Sequence, residues 1–291
     1  MTRSLVDRPL HFEPVGDRSR HVWRRPRQFS FLDRVGTVPL SDSELLQTSL
    51  YLPLAVQEGT GTHEVVAVVH PDFLARPAVR GGARWGHLYM PIALRCLPFR
   101  RAGQARSGIS RLEIATDLDA DAGDDAAVLP LFAENGRPHQ DLAGVVSLLE
   151  RLERGKAILA RAAASLVAAD LLVPLVSTNP ENALASDVEL LVIDPQRLRS
   201  LTPARTVALA ADGFLPLDLA TAFAFSSRLW ASNLAPGRST DDDARMAPTD
   251  PALFGQHAQA PFAIELRIDD SSLFSADTFV KNDKPSVDSG C

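Results

Sequence analysis

The sequence predicts an α+β domain: a mixed or antiparallel sheet, a long central helix or helix pair, and several shorter helices. Three observations carry that prediction. Apolar residues recur at three- and four-residue steps from Leu142 to Leu171, the spacing of one helix face. Val65-Val66-Ala67-Val68-Val69 and Glu189–Ile193 have the length and β-branched content of buried strands. Asp194-Pro195 and Thr202-Pro203 are helix starts, each pairing an N-capping side chain with a proline in the first turn.

Taken in order, residues 1–28 read as a basic N-terminal arm and the first ordered unit starts near Phe29. Eight Arg against four acids make residues 1–34 about +4, so the rest of a chain of net charge −6 carries about −10. Such an arm suits a phosphate or an acidic partner, but its plainer reading is a solvated N-terminal extension. Ser41-Asp42-Ser43-Glu44 has the spacing of a capping box and opens a helix over 42–51 that stops before Pro53. Leu54–Gln57 and Glu64–Val69 flank Gly59-Thr60-Gly61 as a β-hairpin. A strand follows at 111–115 and an acidic loop at 117–125. The long helix starts after Pro138, has Gly155 as a potential break, and is ended by Pro174. After the Glu189–Ile193 strand come the Asp194 and Thr202 helices, the second ending at Gly213. Phe214–Leu217 reads as a short strand, and Asp218 as the cap of a last helix whose apolar face runs from Leu219 to Leu234. Residues 235–291 read as a linker and partly disordered tail, with a strand pair conceivable over 261–280. The compact domain is therefore 29–234.

With 45% hydrophobic and 23% charged residues, the composition is that of a soluble globular protein. The acidic balance argues against nucleic-acid binding. Two cysteines, Cys96 and Cys291, are too few for a disulfide framework. Met1–Pro9 lacks the apolar core of a signal peptide. No stretch approaches the roughly 18–20 apolar residues of a membrane span. The expectation is a cytoplasmic protein without membrane insertion.

Four groups of residues offer chemistry, each with a plainer alternative. His70-Pro71-Asp72, with His87 or His139, resembles the ligand set of a facial iron triad, but a strand-end turn explains it equally. Asp117-Leu118-Asp119-Ala120-Asp121 imitates a calcium loop, but Ala122 and Val128 stand where that loop needs Gly and Glu. Cys96 with His87 would be a nucleophile and base, but Cys96 lies in an apolar run. Gly81-Gly82 and Gly59-Thr60-Gly61 match neither nucleotide-binding fingerprint. No metal and no cofactor are expected.

The most distinctive stretch is Trp85–Phe99, where Tyr89-Met90-Pro91, Arg95 and Leu97-Pro98-Phe99 fit no regular period. Together with Val38-Pro39-Leu40, Leu50-Tyr51-Leu52-Pro53, Leu171-Leu172-Val173-Pro174, Val192-Ile193-Asp194 and Gly213-Phe214-Leu215-Pro216-Leu217, it resembles the SapC family from about Val22 to Asn233. The family's W-x-x-x-Y-I-P-A…R-R-Y-P-F run departs here at Cys96 and Leu97, and its Val-Asp-Glu is Ile193-Asp194-Pro195, as in a divergent member. The resemblance supplies no reaction. It implies an association with surface-layer systems. Its members' gene neighbours resemble flavin-dependent halogenases, cupins and outer-membrane receptors, which suggests an accessory protein working on or with another polypeptide. Two functions follow as expectations. One is a non-catalytic protein-interaction role, with Trp85, Tyr89 and Arg95 as candidate binding residues because such types anchor partners. The other is an enzyme acting on a protein or peptide, which would need a pocket lined by convergent polar groups.

Overall fold

Val65–Val69 is uninterruptedly apolar because both of its faces are covered. Val65, Ala67 and Val69 enter one core cluster, and Val66 and Val68 enter another, as a side-chain period of two requires. The computed structural model describes residues 10–15, 21–58, 63–102, 112–118, 121, 127–177 and 189–237.

The first strands are β1 (Phe12–Pro14), β2 (Val22–Arg24), β3 (Thr37–Pro39), β4 (Leu54–Glu58) and β5 (His63–Val68). Next come β6 (Val79–Arg80), β7 (Arg84–Trp85), β8 (Phe99–Arg101), β9 (Leu112–Ala115) and β10 (Val128–Pro130). The last are β11 (Leu172–Ser177), β12 (Leu190–Ile193) and β13 (Leu234–Pro236). The helices are α1 (Leu32–Val35), α2 (Leu45–Ser49), α3 (Ile92–Arg95), α4 (Gln140–Ala168), α5 (Pro195–Arg199), α6 (Pro203–Leu209) and α7 (Leu215–Ser226).

The main sheet has the order β13-β11-β12-β4-β5-β3, and every pairing in it is antiparallel. The fold is thus α+β. Helices α4 and α7 pack against each other and against this sheet. Leu159, Leu166, Leu219 and Phe223 meet Leu54, Val56 and Val65 in the largest cluster. On the other face, Phe73, Val173, Val192 and Trp230 form a second layer. A third cluster joins the first half of α4 to the small sheet β1-β9-β8 and the pair β10-β2. There Trp23 meets Phe99 edge-on, with ring centroids 4.9 Å apart.

Sheet pairing therefore begins before Phe29. The segment read as a basic arm supplies β1 and β2, and Trp23 is fully buried. The expected β4–β5 hairpin forms, with Leu54 opposite Ala67 and Gln57 opposite Glu64; its Gly59-Thr60-Gly61 turn lies outside the described residues, as do residues 238–291 with the 261–280 strands. Residues 235–237, read as linker, instead pair with β11 through β13 and the Gly237 amide.

Helix α4 is one continuous element of 29 residues, about 43 Å long at 1.5 Å per residue, and Gly155 does not break it. That glycine is buried, and an added Cβ would stand 2.0 Å from Ser41 Oγ and 2.7 Å from Ser41 Cα. It exists to let two segments touch. The expected stop at Pro174 is corrected: α4 ends at Ala168, and Asp170 turns the chain at φ 55. Pro174 lies inside β11, where pairing with β12 gives way to pairing with β13. A strand tolerates a missing N–H at such a changeover, and the Pro174 carbonyl accepts the Gly237 amide at 2.6 Å.

Both proline-led helix starts form as read. Asp194 Oδ1 accepts the Gln196 and Arg197 amides at 2.7 and 3.4 Å, and Thr202 Oγ1 accepts the Arg205 amide at 3.4 Å. The Phe214–Leu217 strand does not form, because α7 already starts at Leu215. Leu219, Ala222 and Phe223 need the helical period to reach the core.

Candidate functional site

The Trp85–Phe99 run folds into a strand end, a closed loop, one helical turn and a second strand. Gly81 and Gly82 form the turn between β6 and β7, with Gly82 at φ 74, so this Gly-Gly is hairpin chemistry. Beyond β7 the loop closes on itself, as Trp85 Nε1 donates to the Tyr89 carbonyl at 2.9 Å. Gly86 fits beneath it because a Cβ would meet Arg80 Cγ at 2.8 Å. Leu88 projects from the tip, almost fully exposed.

The three residues singled out from sequence come together. Trp85 and Tyr89 are joined by that hydrogen bond. Arg95, on α3, places its guanidinium 5.6 Å from the Tyr89 ring centroid, with Nη2 3.4 Å from the phenol oxygen. All three are half-buried. His87 extends the cluster: its ring lies 5.6 Å from Trp85 and 5.6 Å from Tyr51, just beyond the C-terminus of α2.

Sequence reasoning missed the charge at the centre. Glu44 has capping-box spacing, yet Ser41 gives it no side-chain cap, and the Glu44 amide donates to the Ser41 carbonyl at 3.1 Å. The carboxylate takes the Ser41 amide, the half of the box that does form, and also crosses to α3. Its Oε1 accepts the Ile92 amide at 3.0 Å, serving as an N-cap for a turn that has none of its own and matching the positive end of that turn. Glu44 is almost wholly buried, and desolvation raises its pKa above 4.5. The Ile92 and Ser41 amides, Arg95 and Arg151 oppose the rise without cancelling it. The three-residue spacing reports the bond to Ser41; nothing local reports the one to Ile92.

Burial also raises the Tyr89 pKa, with Glu44 adding to the rise and Arg95 opposing it. It lowers that of His87, assisted by Arg80. Glu44 Oε2, Thr48 Oγ1, His87 Nε2 and Arg95 Nε are buried polar atoms with no partner among the described residues. Groups of this kind are where a polar ligand or partner group would engage.

The other candidates fall elsewhere. Cys96 turns into the cluster of Trp23 and Phe99, and burial pushes its thiol up to about 12, which removes the thiolate a nucleophile needs. His70 Nδ1 accepts the Asp72 amide at 3.2 Å to start a 3-10 turn, and His139 Nδ1 accepts the Asp141 amide at 3.4 Å to start α4. Asp117 pairs with Arg34 at 2.7 Å, and Asp121 accepts a hydrogen bond from Ser30. Among the described residues, no three or more His, Cys, Asp or Glu are grouped to hold a metal ion, and no helix is long and apolar enough to cross a membrane.

The SapC family model matches residues 18–232, most of the chain, so the chain belongs to the SapC family. No curated protein and no solved structure matches it.

Proposed function

We propose that this SapC-family protein is a non-catalytic interaction component, working in the cytoplasm with another protein of a cell-surface or peptide-modification system. The observation that carries the reading is an apolar depression of about 450 Å³ between α2 and α7. Leu46, Leu50 and Phe225 border it, at 64%, 46% and 47% exposure. Single exposed leucines mean little, but three large apolar side chains gathered on facing helices suit a partner surface. The Tyr51–His87 ring contact ties the end of α2 to the Trp85–Tyr89 loop. That loop carries Trp85 and Tyr89, with Arg95 against the Tyr89 ring, residue types that anchor partners. The Trp85–Tyr89 hydrogen bond holds the loop before any partner arrives, which lowers the ordering cost of association.

Cross-linked capture from native lysate, using the full chain, tests this. The wild type retains a protein that Leu46→Asp/Phe225→Asp loses at least about tenfold, and the same loss recurs with that protein purified. Equal retention by the two chains, or no specific protein at all, overturns the reading.

The enzyme alternative, acting on a protein or peptide, is supported by Glu44 alone. A buried carboxyl of raised pKa with one unengaged oxygen has the properties of a general acid. Turnover of a peptide substrate that Glu44→Gln abolishes without altering the fold would favour it over the interaction role.

A further inference from the structure

The second half of the signature run borders a separate cleft. Leu97 and Phe99 join Leu149 and Leu152 of α4 around a cavity of about 380 Å³, within the range of small-molecule sites, about 300–1,000 Å³. These four side chains are buried, so the wall they form offers apolar contact. At about 30 Å³ per heavy atom, the volume a water takes in the liquid, it holds about a dozen heavy atoms.

The charged side chains of the same cleft decide what sits at the mouth. Arg34 is held by Asp117 at 2.7 Å, and Arg100 by Glu113 at 2.6 Å. Lys156 is held by Glu64 and Glu153 at 2.8 and 3.4 Å. Arg101 differs. Its side chain is only 19% exposed, yet among the described residues it meets only Glu150, at 3.5 Å, a carboxylate that is 48% exposed. A long pair with a half-solvated partner is weak, and it leaves most of the guanidinium's five donors unengaged. Arg101 is thus a mostly buried cation with spare donors beside an apolar cavity. We propose that the cleft binds an unbranched carboxylate of about ten carbons, its chain among Leu97, Phe99, Leu149 and Leu152 and its head paired with Arg101 in place of Glu150. Arg–carboxylate geometry permits two parallel hydrogen bonds there.

Calorimetric titration of the full chain with sodium decanoate, below its micellar range, tests the proposal. Decanoate binds one to one and saturably, while decyltrimethylammonium, the same chain length with the opposite charge, binds at least about tenfold more weakly. Arg101→Gln weakens decanoate by about tenfold or more. Because that variant removes a mostly buried side chain, Glu150→Gln is the second arm: it removes the competing carboxylate from a half-exposed position and tightens decanoate binding. Absence of saturable binding overturns the proposal. So does equal binding of the cationic chain, or an affinity that Glu150→Gln leaves unchanged.

Discussion

Replacing Gly155 by alanine sets two known effects against each other. Alanine in a helix interior is favoured over glycine by about 0.5–1 kcal/mol, and α4 is helical on both sides of this position. The new methyl, however, would lie 2.0 Å from Ser41 Oγ, 2.6 Å from Asp42 Oδ1 and 2.7 Å from Ser41 Cα. A surface side chain could swing away; Ser41 cannot, because it is wholly buried and its hydroxyl is engaged with Asp42 and Ser43 at 3.1 Å each. The clash with Cα is a backbone clash, so α4 and the turn before α2 would have to part. Overpacking of this kind costs about 1–3 kcal/mol beyond any gain, and at about 2–4 °C per kcal/mol for a domain of this size the melting temperature falls by about 2–12 °C. Gly144 is the internal control, on the same helix, exposed, with nothing within 4 Å of its missing Cβ. Gly144→Ala gains about 0.5–1 kcal/mol. Urea unfolding followed by circular dichroism reads both, as midpoint shifts of opposite sign at constant m-value. If Gly155→Ala stabilises as Gly144→Ala does, α4 does not pack on Ser41 at the distance described.

The other predictions concern buried polar groups. Because burial holds Glu44 above its ordinary 4.5, the native state keeps a proton that the unfolded chain has released. Its contribution to stability therefore falls as pH rises from about 4.5 through the native pKa. Glu44→Gln keeps an acceptor for the Ile92 amide and removes that fall, so at pH 7 it is more stable than wild type in urea, and below pH 4 the two converge; parallel profiles would contradict the assignment. With Cys291→Ser isolating the other thiol, Cys96, pushed up to about 12, reacts with a disulfide reagent at pH 8 only as fast as the protein opens, and prompt stoichiometric labelling would refute its burial. Ser226 Oγ accepts the Leu54 amide at 3.2 Å and donates to the Phe223 carbonyl at 3.1 Å. Ser226→Ala strands the Leu54 donor inside the core and costs about 1–3 kcal/mol, and a denaturation midpoint equal to wild type would show that this bond is not made.

The elements that sequence reading placed well are those whose cause is local. The period of Leu142 to Leu166 fixes one face of α4, and the Asp194 and Thr202 caps act on amides two or three residues ahead. The errors share the opposite property. Pro174 carries the same signal whether it stops a helix or sits at a change of strand partners, and Gly155 looks alike as a breaker and as a contact point. Phe214–Leu217 is as apolar as a strand, and only burial of α7 along the 3.6-residue period makes it helical. Trp85, Tyr89 and Arg95 could be named from sequence as unusual residue types. Their joining through the Tyr89 carbonyl and ring could not.

By itself, then, the chain determined the α+β class, its longest helix, two capped helix starts and its family, because periodicity and capping are written within a few residues. Tertiary structure alone decided the rest. It carried the Glu44 carboxylate across 48 residues to cap α3 as well as its own turn, pressed Ser41 against Gly155, and left Arg101 beside a cleft where, among the described residues, it meets one carboxylate at 3.5 Å. Each of these is a meeting of segments far apart in the chain. What a side chain does there depends on which neighbour arrives and how much water it displaces, and no local pattern encodes that.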